Sequence, residues 1–186
     1  MNIIGFVGSP HKSGNTAWTV QAILDGAASE GANTHLFSSA ELDIKPCAGC
    51  GGCRNDGGCV LKDDMQNIYA ALKTADALVF GSPVYMAQMT AQAKAFTDRL
   101  YAQISPRFSP TFKEENAGKK LVVAWTQGNP DGGKFKAYLD YTAQMFALLE
   151  FEVQESVIVA GTRAGHASEQ EGLAERLKNV GAALVK

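Results

Sequence analysis

Five short apolar runs, separated by segments of helical period, constrain the fold of this chain more than any other feature. They are Ile3–Val7, Asn33–Ser38, Asp76–Gly81, Lys120–Trp125 and Val153–Ala160. The third, Asp-Ala-Leu-Val-Phe-Gly, is apolar on successive residues, as a strand covered on both faces must be. Each run is followed by a segment with one apolar face. Ala17, Val20, Ile23, Leu24 and Ala27 mark the first, with Gly31 as its stop. Met65, Ile68, Tyr69 and Leu72 mark the second, and Asp63 with Gln66 reads as its capping box. Met89, Ala93, Phe96 and Leu100 mark the third, and Phe135, Tyr138, Leu139, Thr142, Phe146 and Leu149 the fourth. Leu173, Leu177, Val180 and Leu184 mark the last, with Ser168 and Glu171 as a second capping box.

Strands that alternate with helices predict a doubly wound α/β fold. With five strands the flavodoxin-like order 2-1-3-4-5 is expected, and residues 1–186 are read as one domain. A net charge of −2 offers no field for nucleic acid or an anionic membrane surface. No apolar stretch approaches the roughly 20 residues of a membrane helix. The first residues lack a basic n-region and read as a strand rather than a signal peptide, so a cytoplasmic location is expected.

In such a sheet the loops after the first, third and fourth strands open at one rim. The first is Gly8-Ser9-Pro10-His11-Lys12-Ser13-Gly14-Asn15-Thr16, a small-residue loop that enters a helix. Helix N–H groups and the helix dipole favour an anion there, and Ser9, Ser13, Thr16 and Asn15 add side-chain donors. An ordinary strand–helix turn is the alternative. The spacing is neither Gly-x-x-x-x-Gly-Lys-Ser/Thr nor Gly-x-Gly-x-x-Gly, which argues against a P-loop kinase or GTPase and a dinucleotide-binding dehydrogenase. Ser82-Pro83-Val84-Tyr85 turns out of the third strand and offers rigid backbone and a ring to a flat heterocycle. Thr126-Gln127-Gly128-Asn129-Pro130 is the third loop.

All four cysteines fall in one Gly-rich excursion, residues 45–62, after the second strand. A disulfide scaffold would spread them through the chain. Cys47-x2-Cys50-x2-Cys53-x5-Cys59 can instead wrap one compact iron–sulfur cubane, with Gly49, Gly51, Gly52, Gly57 and Gly58 letting the backbone curl round it. Structural zinc usually takes two separated Cys-x-x-Cys pairs, and unliganded thiols are the third possibility.

The Gly8–Thr16 loop resembles the FMN-phosphate loop of the NADPH-dependent FMN reductase and flavodoxin-like oxidoreductase families, in which Gly-Ser-Pro-Arg-x-x-Gly-Asn-Thr is typical. His11 stands where that family often has Arg. Ala75-Asp76-Ala77, Phe80 to Tyr85, Met89-Thr90-Ala91 and Lys94 to Arg99 look like the same family. The resemblance covers about the first hundred residues well and the remainder in outline. It implies that Ser9, His11, Ser13, Asn15 and Thr16 hold the FMN phosphate. Pro83, Val84, Tyr85 and Met86 would line the isoalloxazine, with Thr126, Gly128 and Asn129 on its other side. The cysteines resemble the subgroup called iron–sulfur flavoproteins, which implies a [4Fe-4S] cluster held by Cys47, Cys50, Cys53 and Cys59. The excursion is expected at the same rim as the FMN loops.

The resemblance therefore implies an FMN-dependent oxidoreductase or electron-transfer flavoprotein, with NAD(P)H or a ferredoxin-like protein as redox partner and a homodimer or homotetramer as its assembly. No acid–base catalytic residue is nominated, because flavin chemistry need not use one. A cluster-free NAD(P)H-dependent FMN or quinone reductase is the first alternative. A non-enzymatic, zinc-stabilised binding module is the second. His35 and His166 read as structural or solvated, and Asp98-Arg99 as a solvated or interface pair. Residues 105–118 read as a long loop, in which Phe108 and Phe112 either cap a neighbouring flavin site or form a plain surface connection.

Overall fold

The computed structural model describes residues 1–54, 58–103 and 117–186. The elements run β1 (Asn2–Val7), α1 (Asn15–Ser29), β2 (Asn33–Ser38), α2 (Met65–Thr74), β3 (Ala77–Tyr85), β4 (Gln88–Met89), α3 (Ala91–Arg99), β5 (Lys120–Thr126), α4 (Lys136–Leu148), β6 (Glu152–Val159) and α5 (Leu173–Val185). Five parallel strands form the sheet in the order β2-β1-β3-β5-β6, which is the expected 2-1-3-4-5 arrangement.

The sixth strand was not expected. Ser82-Pro83-Val84-Tyr85 does not turn out of β3 but continues it, and β4 folds back antiparallel with Val84 opposite Met89. The turn between them places Met86 and Ala87 at φ 46° and 65°. Two-residue hairpins favour positive φ at both positions, normally met by Asn-Gly or Gly-Gly. Met-Ala carries no such signal, so the hairpin is invisible in the local sequence. The loop expected at 105–118 falls, for residues 105–116 and with Phe108 and Phe112, outside the described residues.

Each face of the sheet has its own core. Ile3, Val7, Val79, Val122 and Val157 pack under α1 and α5, against Val20, Ile23, Leu24, Leu177 and Leu184. Ile4, Phe6, Leu78, Phe80, Val123 and Trp125 pack under α2, α3 and α4, against Ile68, Leu72, Phe96 and Phe146. Phe6 stacks on Phe96 with ring centroids 4.0 Å apart, and Phe80 meets Phe146 at 5.0 Å. Two-sided burial explains why these strands read as continuous apolar runs.

Gly31, at φ 88°, ends α1 as expected. Neither capping box forms. The residue before α2 is Asp64, which makes no side-chain cap bond, while the Asp63 carboxylate is drawn into a buried ion pair. Ser168 lies in a short 3-10 turn, Ala167–Glu169, whose cap is His166 Nδ1 accepting the Ser168 N–H at 3.3 Å. Left-handed Gly172, at φ 69°, then separates Glu171 from α5, so the box cannot close. None of the helices among the described residues is long and apolar enough to cross a membrane.

Helices α1 and α5 cross through glycine. A Cβ on Gly181 would lie 1.8 Å from the Ile23 carbonyl oxygen, and one on Gly26 2.0 Å from that of Lys178. Alanine is the better helix former by about 1 kcal/mol. At Gly181 the backbone collision reverses that preference. Gly181→Ala is expected to destabilise the fold by about 1–3 kcal/mol, the range for overpacking, read as a lowered midpoint in thermal unfolding.

Candidate functional site

The loop after β1 is held in place mainly by backbone. Gly8 N–H donates to Gly81 O at 2.7 Å, and Gly8 O accepts the Thr90 hydroxyl. Thr90 also caps α3 by accepting the Ala93 N–H at 3.0 Å. A Cβ on Gly8 would sit 2.5 Å from Ala93 Cβ, so only glycine lets the loop approach α3 this closely. Ser9 is buried; its hydroxyl accepts the His11 N–H, and its carbonyl accepts the Ser39 hydroxyl at 3.1 Å. His11 and Ser13 are exposed. The residue preceding α1 is Gly14, with no side-chain cap, so the first-turn N–H groups of α1 have no side-chain acceptor at their cap.

Thr16 and Thr126 are both buried, with hydroxyls 2.6 Å apart, so the first and third loops meet as expected. Asn15 does double duty. Its Oδ1 accepts the Ala167 N–H at 2.6 Å from the loop after β6, leaving the Nδ2 donors for another partner. That fourth loop went unrecognised in the sequence. It brings Arg163 against Gly128, where an added Cβ would lie 3.3 Å from Arg163 Cβ. Gln127, read in the sequence only as part of the third loop, has a structural role in it. It is buried, donates through Nε2 to Asn129 O and Asp131 O at 3.2 and 2.7 Å, and so shapes the loop holding Gly128 and Asn129.

Tip residues of the β3–β4 hairpin project outward. Tyr85 is 45% and Met86 96% exposed, whereas Pro83 is buried and Val84 half-buried. Left-handed backbone at a residue with a Cβ costs roughly 1–2 kcal/mol. The hairpin holds two such residues, and its base is pinned by Ser82 Oγ accepting the Thr90 N–H at 3.2 Å.

The cysteine excursion begins at the same rim. Ser39 N–H donates to Val7 O at 2.9 Å, and Glu41 pairs with Lys12 at 3.2 Å. The cysteines themselves lie elsewhere. Cys47, Cys50, Cys53 and Cys59 line one cavity of about 410 Å³ with Arg54, Leu61 and Tyr101, and no residue of the three rim loops reaches it. Helix α3 separates the two places: Thr90 at its start bonds Gly8, and Tyr101 lies just past its end. Nine residues make about 13 Å of helix. The expectation that the cysteines share the rim is corrected to this extent, because the chain runs on from Glu41 to the far end of α3.

All four thiols are free, Cys47 and Cys50 exposed and Cys53 and Cys59 half-buried. Gly49, Gly51 and Gly58 turn the backbone at φ 63°, 71° and 72°; Gly57 lies outside the described residues. Burial pushes the Cys53 thiol up, a backbone hydrogen bond opposes this, and the nearby Cys59, Cys47 and Cys50 thiols push it further. Among the described residues no three His, Cys, Asp or Glu side chains gather as a metal-ligating group.

Asp98-Arg99 is not the pair expected. Asp98 bonds Lys94 at the surface. Arg99 turns inward, and its guanidinium grips Asp63 through Nη1–Oδ2 at 2.6 Å and Nη2–Oδ1 at 3.0 Å, both side chains being 0% exposed. Hydrogen bonding from Arg99 holds the Asp63 carboxyl below the usual carboxylate range, against burial and helped by the Lys45 N–H. Burial pushes the Tyr69 phenol up, and its hydroxyl donates to Arg99 O at 2.6 Å. Removing one partner of such a buried pair costs about 3–5 kcal/mol, so Asp63→Ala should lower the thermal midpoint by about 10 °C. The unfolded chain protonates Asp63 at a higher pH than the folded chain does. The pair's contribution is therefore complete above the ordinary aspartate pKa of about 3.9 and lost as pH falls below it. Thermal unfolding followed across that window should fall more steeply with acid in the wild type than in Asp63→Asn.

Residues 1–166 match the family model described as NADPH-dependent FMN reductase. An iron–sulfur flavoprotein of Methanocaldococcus jannaschii is 40% identical over 53% of this chain and 51% of its own length. An iron–sulfur flavoprotein of Methanosarcina thermophila is 38% identical over 73% of this chain and 68% of its own. The chain thus spans about half to two thirds of the curated relatives it matches. The solved NAD(P)H:quinone oxidoreductase of Methanothermobacter marburgensis shares the fold, with a TM-score of 0.77 and 16% identity over 100% of this chain and 98% of that one. The chain belongs to the NADPH-dependent FMN reductase family, in the branch that includes the iron–sulfur flavoproteins.

Proposed function

We propose that this protein is an FMN-dependent oxidoreductase that passes electrons between FMN at the rim and a [4Fe-4S] cluster at the cysteine cavity. The observation that carries the flavin assignment is the start of α1. Its N–H groups are left without a side-chain cap, behind a loop in which His11, Ser13 and Asn15 remain accessible. A phosphate fits that chemistry, since helix dipole, N–H groups and hydroxyls all favour an anion. Thr16 orients the site through Thr126, and Asn15 keeps its amide donors free while its oxygen is held by Ala167. Tyr85 and Met86 offer apolar surface to one side of a flat ring, and Gly128 and Asn129 backbone to the other. FMN supplies the hydride and single-electron chemistry when bound.

For the cluster, the supporting observation is a set of four unpaired thiols lining one cavity. Their chemistry fits a soft metal centre. A zinc ion draws four sulfurs to about 2.3 Å of one point, whereas a [4Fe-4S] cluster would be held by four thiolates set wider apart. The spacing Cys47-x2-Cys50-x2-Cys53-x5-Cys59, unlike two separated pairs, favours the second. One-electron exchange with a ferredoxin-like protein follows from this reading, with NAD(P)H as the donor if the cluster is absent.

Anaerobic purification with flavin, iron and acid-labile sulfide analysis tests both assignments. Extractable FMN with near-equal iron and sulfide is expected. FMN without iron after careful reconstitution leaves the NAD(P)H-dependent FMN or quinone reductase; zinc without FMN leaves the binding module. Hydrogen bonds to a charged group contribute about 1.5–3 kcal/mol. Ser13→Ala/Thr16→Ala is accordingly expected to weaken FMN binding about tenfold or more in a fluorescence-quenching titration.

A further inference from the structure

The stems of the cysteine loop converge on one buried ion pair. On the side leading to Cys47, the Lys45 N–H donates to Asp63 Oδ2 at 3.0 Å, and Lys45 O accepts from Arg99 Nη1 at 2.8 Å. On the side leaving Cys59, Asp63 itself receives the Arg99 fork, and its Oδ1 accepts the Met65 N–H that opens α2. Gln66, one turn into α2, donates through Nε2 to Cys59 O at 3.0 Å and Leu61 O at 2.6 Å. Tyr69, next on the same face, fixes the backbone of Arg99. We propose that Asp63 and Arg99 are positioning residues for the cysteine site, a clamp that ties the stem at Lys45 to the stem at Asp63 and so sets how the four thiols are presented to the cavity they line.

Energetics favour a positional role over a purely stabilising one. A buried ion pair is often no more stable than apolar side chains of similar volume. Among the described residues this pair's remaining hydrogen bonds go to the backbone of the loop stems and the start of α2, and none goes to the sheet. Arg99 Nε is buried and has no partner among the described residues, so a donor remains unused beside full positive charge. Supporting groups of this kind orient metal ligands, and their loss typically costs 10–100-fold in metal affinity. The loop it orders is rich in left-handed glycines, which have the most conformational freedom to lose on binding.

The inference rests on the cysteines being metal ligands, and two readouts on the cluster-free 186-residue chain keep it separable from that reading. The first is titration with Co²⁺ alone, followed by thiolate-to-cobalt absorption. The second is alkylation of each cysteine by iodoacetamide, followed by mass spectrometry and needing no metal. The double variant Asp63→Leu/Arg99→Met removes the clamp without leaving a buried unpaired charge, and Arg99→Lys keeps the charge but loses the bidentate fork. Both are expected to retain FMN affinity, because the rim lies at the other end of α3. Cobalt binding should weaken by about tenfold or more, and half-buried Cys53 and Cys59 should alkylate about tenfold faster as the loop opens locally. Unchanged cobalt affinity and unchanged alkylation in both variants overturn the clamp. A wild-type chain that binds neither cobalt nor iron sinks the metal reading, and the alkylation rates then decide the clamp alone. If the double variant loses FMN binding and its thermal transition, Arg99→Lys decides: wild-type rates and affinity there overturn the proposal.

Discussion

Burial of the central strands on both faces is the constraint from which the rest of this molecule follows. Ile3, Ile4, Phe6 and Val7 are all within 4% of fully buried, two on each side of the sheet. A strand covered twice can be joined to a parallel neighbour only by a crossover, here a helix, so the chain leaves every strand at the same edge. That edge therefore collects the loops after β1, β3, β5 and β6. Hydrogen bonds between Gly8 and Gly81, Thr16 and Thr126, and Asn15 and Ala167 bind them into one rim.

The rim combines rigidity with unsatisfied chemistry. Most of its hydrogen bonds are internal, yet the start of α1 lacks a side-chain cap, and Met86 and Ala87 occupy left-handed backbone. Of the three non-glycine residues at positive φ among the described residues, two, Met86 and Ala87, sit together at this rim. Strain of this kind persists only where neighbours over-determine it. Here Thr90 does so, pinning both Gly8 and Ser82 from the start of α3.

Helix α3 gives the molecule a second pole. Its first residues fasten the rim, and its last, Arg99, fastens the cysteine loop. The same helix face packs Phe96 on Phe6 between the two. A helix with one face packed in the core thus lies between the rim and the cysteine loop, the two places for which redox chemistry is proposed. The loop it supports has little core of its own, so its shape depends on buried polar contacts rather than on apolar packing.

Much of this was legible in the residues. The alternation of apolar runs and amphipathic segments determined five strands, their parallel pairing and their order, because burial pattern and crossover geometry are local and topological facts. The small-residue loop before Asn15 and the clustered cysteines likewise marked both candidate sites. Contacts between distant residues stayed hidden. Asp63 carries the spacing of a capping box, and only its meeting with Arg99, thirty-six residues away, makes it half of a buried pair. Ser168 and Glu171 have the same spacing, and Gly172 prevents its use. Met86-Ala87 gives no turn signal, since pairing of Val84 with Met89 imposes the hairpin. Sequence by itself determined which segments are strands, helices and ligand-rich loops. Tertiary structure alone decided which polar groups are buried together and how far the cysteines lie from the rim, because those depend on where the packed elements carry residues that are remote in the chain.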